Sequence, residues 1–553
     1  TRRSMTMIPK QPQSLLLYSH VQKPQSKFPI RILVVVSLLL LLLNVSFTRT
    51  TTSSTTSSTS SSLRRLLTWR QPSFWKISET QKEQQPPSLP LRPQRQLMTS
   101  SKTNIIRPYT NQDILFTIPY LSRCLLQLLV WDGSRFQSFH ILRSDQSVAL
   151  SYRNSNDVPL LVHSLLTNFP QRFQPGISPP LEILWSGDDA VAGPCINNHH
   201  HCPSDQFVPM IMFGSVPKNT SALPTVKAFP NPYYTDCLYH YRILGETTCQ
   251  WNQIHPDIPF DSLKRQIIWR GSDFSNYLMD YLPWYRKPYV TMSKLFPPEI
   301  IDIMTKDQII RCLFENQHSI PPRWIGVAYT ILADSTEPTK TVSILPWVDI
   351  RFANTAPFNR DLHIQFATKG MKVTADPMGP YEMSQYRYQI DLAGGGGTTW
   401  DGTLTKLQMP GVLFHHETPF QDWFYEDMIP WIHYIPVHSD LSNLFQQYQW
   451  AEANPESVKD ISKRASQLAT YLLSEEYLKH TYESLYVKYL GQIIDAYDAT
   501  SHGRTWAELK EEYGKLGYRL YPSCDCHSYA CTTEVADGTF RTLTHVAQHT
   551  PPP

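Results

Sequence analysis

The stretch Tyr386-Arg-Tyr-Gln-Ile-Asp391-Leu-Ala-Gly394-Gly-Gly-Gly397-Thr398-Thr399-Trp400 limits the fold of this chain more than any other. Apolar residues alternating from Tyr386 to Leu392 predict a strand. Four glycines break it, a helix is predicted to about Met409, and Gly411 leads into a second strand at Val412. Strand, glycine loop, helix and strand in that order specify an α/β fold. Glycines let a ligand approach the backbone, and a helix start offers free N–H groups and a positive dipole end to a phosphate. Spacing alone leaves an anion-binding loop and a flexible turn both open. It is neither a dinucleotide fingerprint nor a P-loop, because the fixed glycine spacing and the Gly-Lys-Ser/Thr ending are absent.

A chain of 553 residues exceeds the ~250–300 that one core supports, so at least two domains are expected. Glu182–Trp185 and Pro209–Phe213 predict buried strands of a first domain, and Gln266–Trp269 opens a second. Val412–His415 and Trp431–Val437 predict further strands. Asn454-Pro455-Glu456 marks a helix start, with an Asn cap, Pro in the first turn and an acid against the dipole. Leu478, Tyr482, Leu485, Tyr486, Tyr489, Leu490 and Ile493 recur at helical spacing, which predicts one buried face.

Two more stretches carry candidate chemistry. Ile267-Ile-Trp-Arg270-Gly271-Ser272 places an Arg at a strand's carboxyl end beside a close-approach glycine. That suits a diphosphate, or pairing with a surface acid. Glu182-Ile-Leu-Trp-Ser-Gly-Asp188-Asp189 places two carboxylates after a buried strand. One of them could serve as a general base, or the pair could form a solvated turn or cap.

The net charge of +3 averages two unlike parts. Residues 1–100 hold 14 Lys/Arg and two acids, Glu79 and Glu83, leaving 36 basic and 45 acidic residues beyond them. A mildly acidic body argues against broad nucleic-acid binding. The apolar run Ile32–Leu43, extended to Phe28–Phe47, follows a basic, acid-free lead. It predicts a signal-anchor at about 28–47 that leaves the lead cytosolic and the body lumenal, a single-pass type II topology; a cleaved signal peptide or organelle-targeting segment are the rival readings. The Ser/Thr tract Thr48–Ser62 and the Pro/Gln/Arg-rich stretch to Ser100 read as a disordered stem. This is the layout of Golgi or endoplasmic reticulum membrane enzymes. In a lumen the nine cysteines could pair, for example Cys195 with Cys202 or Cys237 with Cys249, leaving one free and the connectivity open. His199-His200-His201-Cys202 reads as a solvated insertion beside a disulfide, and Cys524, Cys526, His527 and Cys531 as a disulfide-bearing tail rather than a zinc site.

These stretches occur in an order that resembles glycosyltransferase family 90, the group of Rumi-type protein O-glucosyltransferases and capsule-associated xylosyltransferases. The resemblance is strongest from Tyr386 to about Leu473. It is carried by Tyr388–Asp391, the Gly-Thr loop, Lys406-Leu407, Gly411–Phe414, Asp422–Tyr425, Pro430-Trp431-Ile-His433-Tyr434-Ile-Pro436-Val437 and Ser439–Ser442. It implies a GT-B-like fold, two Rossmann-like lobes with a cleft between them. It implies residues 101–260 as an acceptor-side lobe, 261–465 as a nucleotide-sugar lobe, 466–497 as C-terminal helices and 498–553 as a polar tail. It further implies inverting, metal-independent transfer from UDP-glucose or UDP-xylose to a protein or glycan hydroxyl, with no metal and no cofactor beyond the donor. By position, Arg270, Gly271, Ser272, Gly396, Gly397, Thr398, Thr399, Lys406 and His415 would hold the donor, and Asp189, with Asp188 as fallback, would be the base. Many relatives carry an arginine where this chain has Leu404, so Lys406, His415 or Arg387 would have to supply that charge. The same departure leaves a catalytically inactive glycan- or peptide-binding member as the alternative.

Overall fold

A computed structural model describes residues 106–121, 126–143, 157–187, 203–218, 225–247, 249, 258–273, 291–335, 346–353, 359–394, 397–399, 401–499, 506–525, 530–534 and 540–543. The predicted anchor and stem, Asp188, Asp189, Cys195, His199–Cys202, Gly396, Cys526 and His527 lie outside the described residues. Among the described residues no helix is long and apolar enough to cross a membrane.

The strands, in chain order, are β1 (Leu126–Trp131), β2 (Phe136–Arg143), β3 (Leu181–Ser186), β4 (Met210–Met212), β5 (Val216–Pro217), β6 (Val226–Ala228), β7 (Lys264–Gly271), β8 (Val348–Ala353), β9 (Thr374–Ala375), β10 (Tyr386–Asp391), β11 (Val412–His416), β12 (Phe420–Gln421), β13 (Ile435–Val437), β14 (Tyr518–Asp525), β15 (Ala530–Glu534) and β16 (Phe540–Leu543). Among the described residues they form two large sheets and one small one. The first sheet runs β16-β15-β14-β2-β1-β3-β4-β6. Its β3-β4-β6 edge is parallel and its other pairings are antiparallel. The second sheet runs β13-β11-β10-β7-β8-β9, and every pair is parallel. The chain enters this sheet at its centre, steps outward to β9, then returns beside β7 and steps outward the other way. That is the 3-2-1-4-5-6 order of a doubly wound nucleotide-binding sheet.

The central strands are largely buried, as expected for a parallel sheet covered on both faces. Ile267, Ile268 and Trp269 of β7 and all six residues of β10 are buried. One apolar core follows each large sheet. The first core also takes in Leu404, Leu407, Leu413, Phe420, Phe424 and Tyr425 from the second half of the chain, so the two lobes share packed surface.

Four local readings differ from expectation. The strand predicted over Trp431–Val437 begins only at Ile435. Before it Trp431 takes φ 63° and its N–H bonds to the Tyr434 carbonyl at 2.8 Å, closing a tight loop. The helix at Asn454 starts with Pro455 as expected, but the Asn454 side chain faces backwards, donating to the Trp450 carbonyl at 2.8 Å at the end of the preceding helix. The apolar face at 478–493 is buried, but Tyr482–Tyr489 is wound as a π-helix. The polar segment after residue 498 contributes β14, β15 and β16 to the first sheet, β14 pairing with β2. Cys237 and Cys249 form a disulfide.

Candidate active site

In a doubly wound sheet, ligands sit outside the carboxyl ends of the strands where the strand order reverses. Here that point lies between β7 and β10. Beyond β7 come Ser272 and Asp273; beyond β10 come Leu392, Ala393 and Gly394, then Gly397, Thr398 and Thr399.

The cation at this point is Arg323, which the sequence reading did not single out. It occupies the first turn of the helix Pro322–Ser335. Thr330 seats that helix on β8, accepting from the Ile350 N–H at 2.8 Å and donating to the Ile350 carbonyl at 3.1 Å. Arg323 Nη1 donates to the Ser272 carbonyl at 2.7 Å, and Nη2 and Nε to the Leu392 carbonyl at 3.0 and 3.3 Å. Its guanidinium lies 5.1 Å from the Trp269 ring centroid. One side chain thus ties together the ends of both switch-point strands. A sequence signal was available: a basic residue in a helix's first turn opposes the dipole, so Pro322-Arg323 is an anomaly that needs a local reason.

The residues expected to hold a donor divide into those near this point and those committed elsewhere. Arg270 is paired with Asp349 of β8 at 2.6 Å and also donates to the Asp349 carbonyl at 2.8 Å. Gly271 leaves room for the Trp269 ring, which a Cβ would meet at 2.4 Å. Ser272 contributes its carbonyl to Arg323. Arg387 sits near the amino end of β10 and donates to the Phe260 and Asp261 carbonyls, so it is remote from the carboxyl ends. Leu404 is buried in the first core.

Lys406 and His415 meet at Asp391, the buried last residue of β10. Asp391 Oδ2 accepts from Thr403 at 2.7 Å and from His415 Nδ1 at 2.8 Å, and Oδ1 accepts from the His416 N–H at 3.0 Å. Burial pushes the Asp391 carboxyl up, but His415, Lys406 and Thr403 outweigh it and hold the group below its ordinary value. Burial lowers the Lys406 ammonium, against the pull of Asp391 and Asp401. Its Nζ donates to the Gly402 carbonyl at 3.1 Å. With its hydrogen bond donated to Asp391, the Thr403 hydroxyl accepts from Thr399 at 2.6 Å and Tyr425 at 3.0 Å. His416, held down to about 4 by burial, is neutral. Its Nδ1 accepts from the Ala393 N–H at 3.3 Å and its Nε2 donates to the Ser439 carbonyl at 2.8 Å. This network fixes the floor from which the glycine loop rises.

The loop folds on itself: the Gly394 N–H bonds to the Thr398 carbonyl at 3.0 Å and the Gly397 N–H to the Gly394 carbonyl at 3.1 Å. The helix after it, Asp401–Leu407, begins with an acid. Positive charge at the site therefore falls mainly to side chains. Gly397 has φ 80°, and a Cβ there would lie 2.9 Å from the Phe420 Cβ. Gly397→Ala is expected to destabilise the fold by about 1–2 kcal/mol, measured as a lower denaturant midpoint.

The first lobe reaches this loop directly. β5 pairs with β12, Pro217 opposite Phe420 and Val216 opposite Gln421. The Ser215 hydroxyl bonds to the Thr398 hydroxyl, and Thr418 donates to the Gly397 carbonyl. Asn231 donates to buried Asp422 at 3.1 Å, and burial pushes that carboxyl up to about 7.

Residues 350–496 match Glycosyl transferase family 90. Protein O-glucosyltransferase 2 of Danio rerio is 33% identical over 116 residues, covering 20% of this chain and 21% of the relative. Protein O-glucosyltransferase 3 of Homo sapiens is 29% identical over 118 residues, covering 20% and 22%. Protein O-glucosyltransferase 1 of Mus musculus is 35% identical over 106 residues, covering 19% and 26%. The matched stretch thus spans about a fifth to a quarter of these relatives' length. The stretch that matches glycosyltransferase family 90, residues 350–496, contains β10, the glycine loop, Asp391, Lys406 and His415.

Proposed function

We propose that the protein is a glycosyltransferase that moves glucose or xylose from a UDP-sugar to a hydroxyl of a protein or glycan, with inversion and without a metal. The observation that carries this reading is the position of Arg323 and the glycine loop at the switch point of a parallel sheet, together with the family 90 match of residues 350–496, which hold the glycine loop. Departure of UDP requires charge stabilisation, and a guanidinium between the two strand ends supplies it. Inversion requires one base to take the acceptor proton; by position in the family pattern that base is Asp189, with Asp188 as fallback, just past the end of β3. The relatives' names specify O-glucosyl transfer, which favours glucose and a protein acceptor. The Cys237–Cys249 disulfide supports an oxidising compartment, and the apolar run at about 28–47 supports a membrane anchor that places the body in the Golgi or endoplasmic reticulum lumen. Leu404, buried where many relatives have arginine, supports the second reading of an inactive binding protein.

Hydrolysis of UDP-glucose and UDP-xylose by the full chain discriminates the two. Turnover that Asp189→Asn reduces by about 100-fold or more is the expected result. UDP binding without turnover would favour the binding protein, and absence of both would reject the nucleotide-sugar reading.

A further inference from the structure

We propose that Lys218, carried by the first lobe, reaches the switch point of the second and binds the diphosphate of the donor. This rests on the nucleotide-sugar reading above. Lys218 directly follows β5, and its N–H donates to the Pro419 carbonyl at 2.7 Å, extending the β5–β12 pairing by one bond. Three residues earlier, Ser215 bonds to Thr398 of the glycine loop. β5 is therefore held against the loop through the Ser215 side chain and against β12 through its main chain, which fixes the Lys218 backbone at that border.

The surrounding charges single this residue out. Arg270 is neutralised by Asp349, Arg387 serves the other end of β10, and Lys406 is buried and bonded to Gly402. The Lys218 side chain is exposed and makes no ion pair or hydrogen bond among the described residues. Burial of its surroundings lowers its ammonium below the ordinary lysine value, while the Glu417 and Asp391 carboxylates pull it back. Asp391 ends β10, the strand end that Arg323 also serves. Glu417, the residue after β11, adds a negative charge at the carboxyl end of that strand, and Lys218 offsets it. With Arg323 from the second lobe and Lys218 from the first, the donor diphosphate is gripped from both lobes.

Calorimetric titration of UDP and of uridine into the full-chain protein, Lys218→Ala and Lys218→Arg tests this. Lys218→Ala should bind UDP about ten- to a hundredfold more weakly, bind uridine as the wild type does, and be largely rescued by Arg at the same position. UDP affinity unchanged in Lys218→Ala would overturn the inference and leave the nucleotide reading standing. A parallel loss of UDP and uridine affinity with a lower melting temperature would make Lys218 a structural residue and equally overturn it. No UDP binding by the wild type would reject the nucleotide reading and this inference with it.

Discussion

Arg323→Ala should weaken UDP binding by about ten- to a hundredfold and abolish detectable sugar transfer. The guanidinium makes three charge-assisted bonds to two carbonyls at the ends of β7 and β10. Hydrogen bonds to charged groups contribute about 1.5–3 kcal/mol each, and the loss here has two parts. The Ser272 and Leu392 carbonyls lose their donor, so the strand ends that shape the site relax. The positive charge at the switch point also disappears. Arg323→Lys separates the two, since an ammonium keeps the charge but cannot fork between both carbonyls. It should regain part of the UDP affinity and little of the turnover. Calorimetry for binding and a coupled UDP-release assay for turnover check both statements. Full activity in Arg323→Ala would show that the guanidinium serves the fold alone.

Asp391→Ala is expected to cost about 3–5 kcal/mol of stability, the price of leaving an ionised partner buried and unpaired. The carboxylate accepts from Thr403, His415 and the His416 N–H, and it is a main compensation for buried Lys406. Chemical denaturation measures the loss. Linkage fixes a sign as well. Because the folded-state value of Asp391 lies below that of an unfolded carboxyl, its contribution is present above pH ~4 and is lost as pH falls through the lower folded value. The wild type should therefore lose stability in that acid window, and Asp391→Asn should lose less there while being less stable at neutral pH. Wild-type stability in Asp391→Ala would mean that Lys406 finds another partner.

Part of the second sheet was legible in the sequence because its central strands are largely buried. Gln266–Trp269 and Val412–His415 were readable as short apolar-rich runs, and Tyr386–Leu392 by its alternation. Their role at a switch point was not, because strand order is a property of pairing between distant segments. Arg387 and Asp391 show the same limit within one strand. Alternation puts both on one face of β10, but only the pairing direction shows that Asp391 stands at the ligand end and Arg387 at the other. Arg323 escaped notice because its partners, Ser272 and Leu392, are 51 and 69 residues away. The strands after residue 498 carry few apolar residues, since they extend an edge of the first sheet, and polar edge strands leave a weak sequence signal. Lys218 was hidden for a similar reason: a two-residue strand such as β5 has no periodicity to detect.

The central claim is that the carboxyl ends of β7 and β10, with the glycine loop, hold a nucleotide diphosphate. Hydrogen–deuterium exchange of the full chain with and without UDP measures this at the level of peptides. The account predicts slower exchange at 270–273, 322–326 and 392–408 when UDP is present. Unchanged exchange there, or protection confined to segments away from these strand ends, would contradict it.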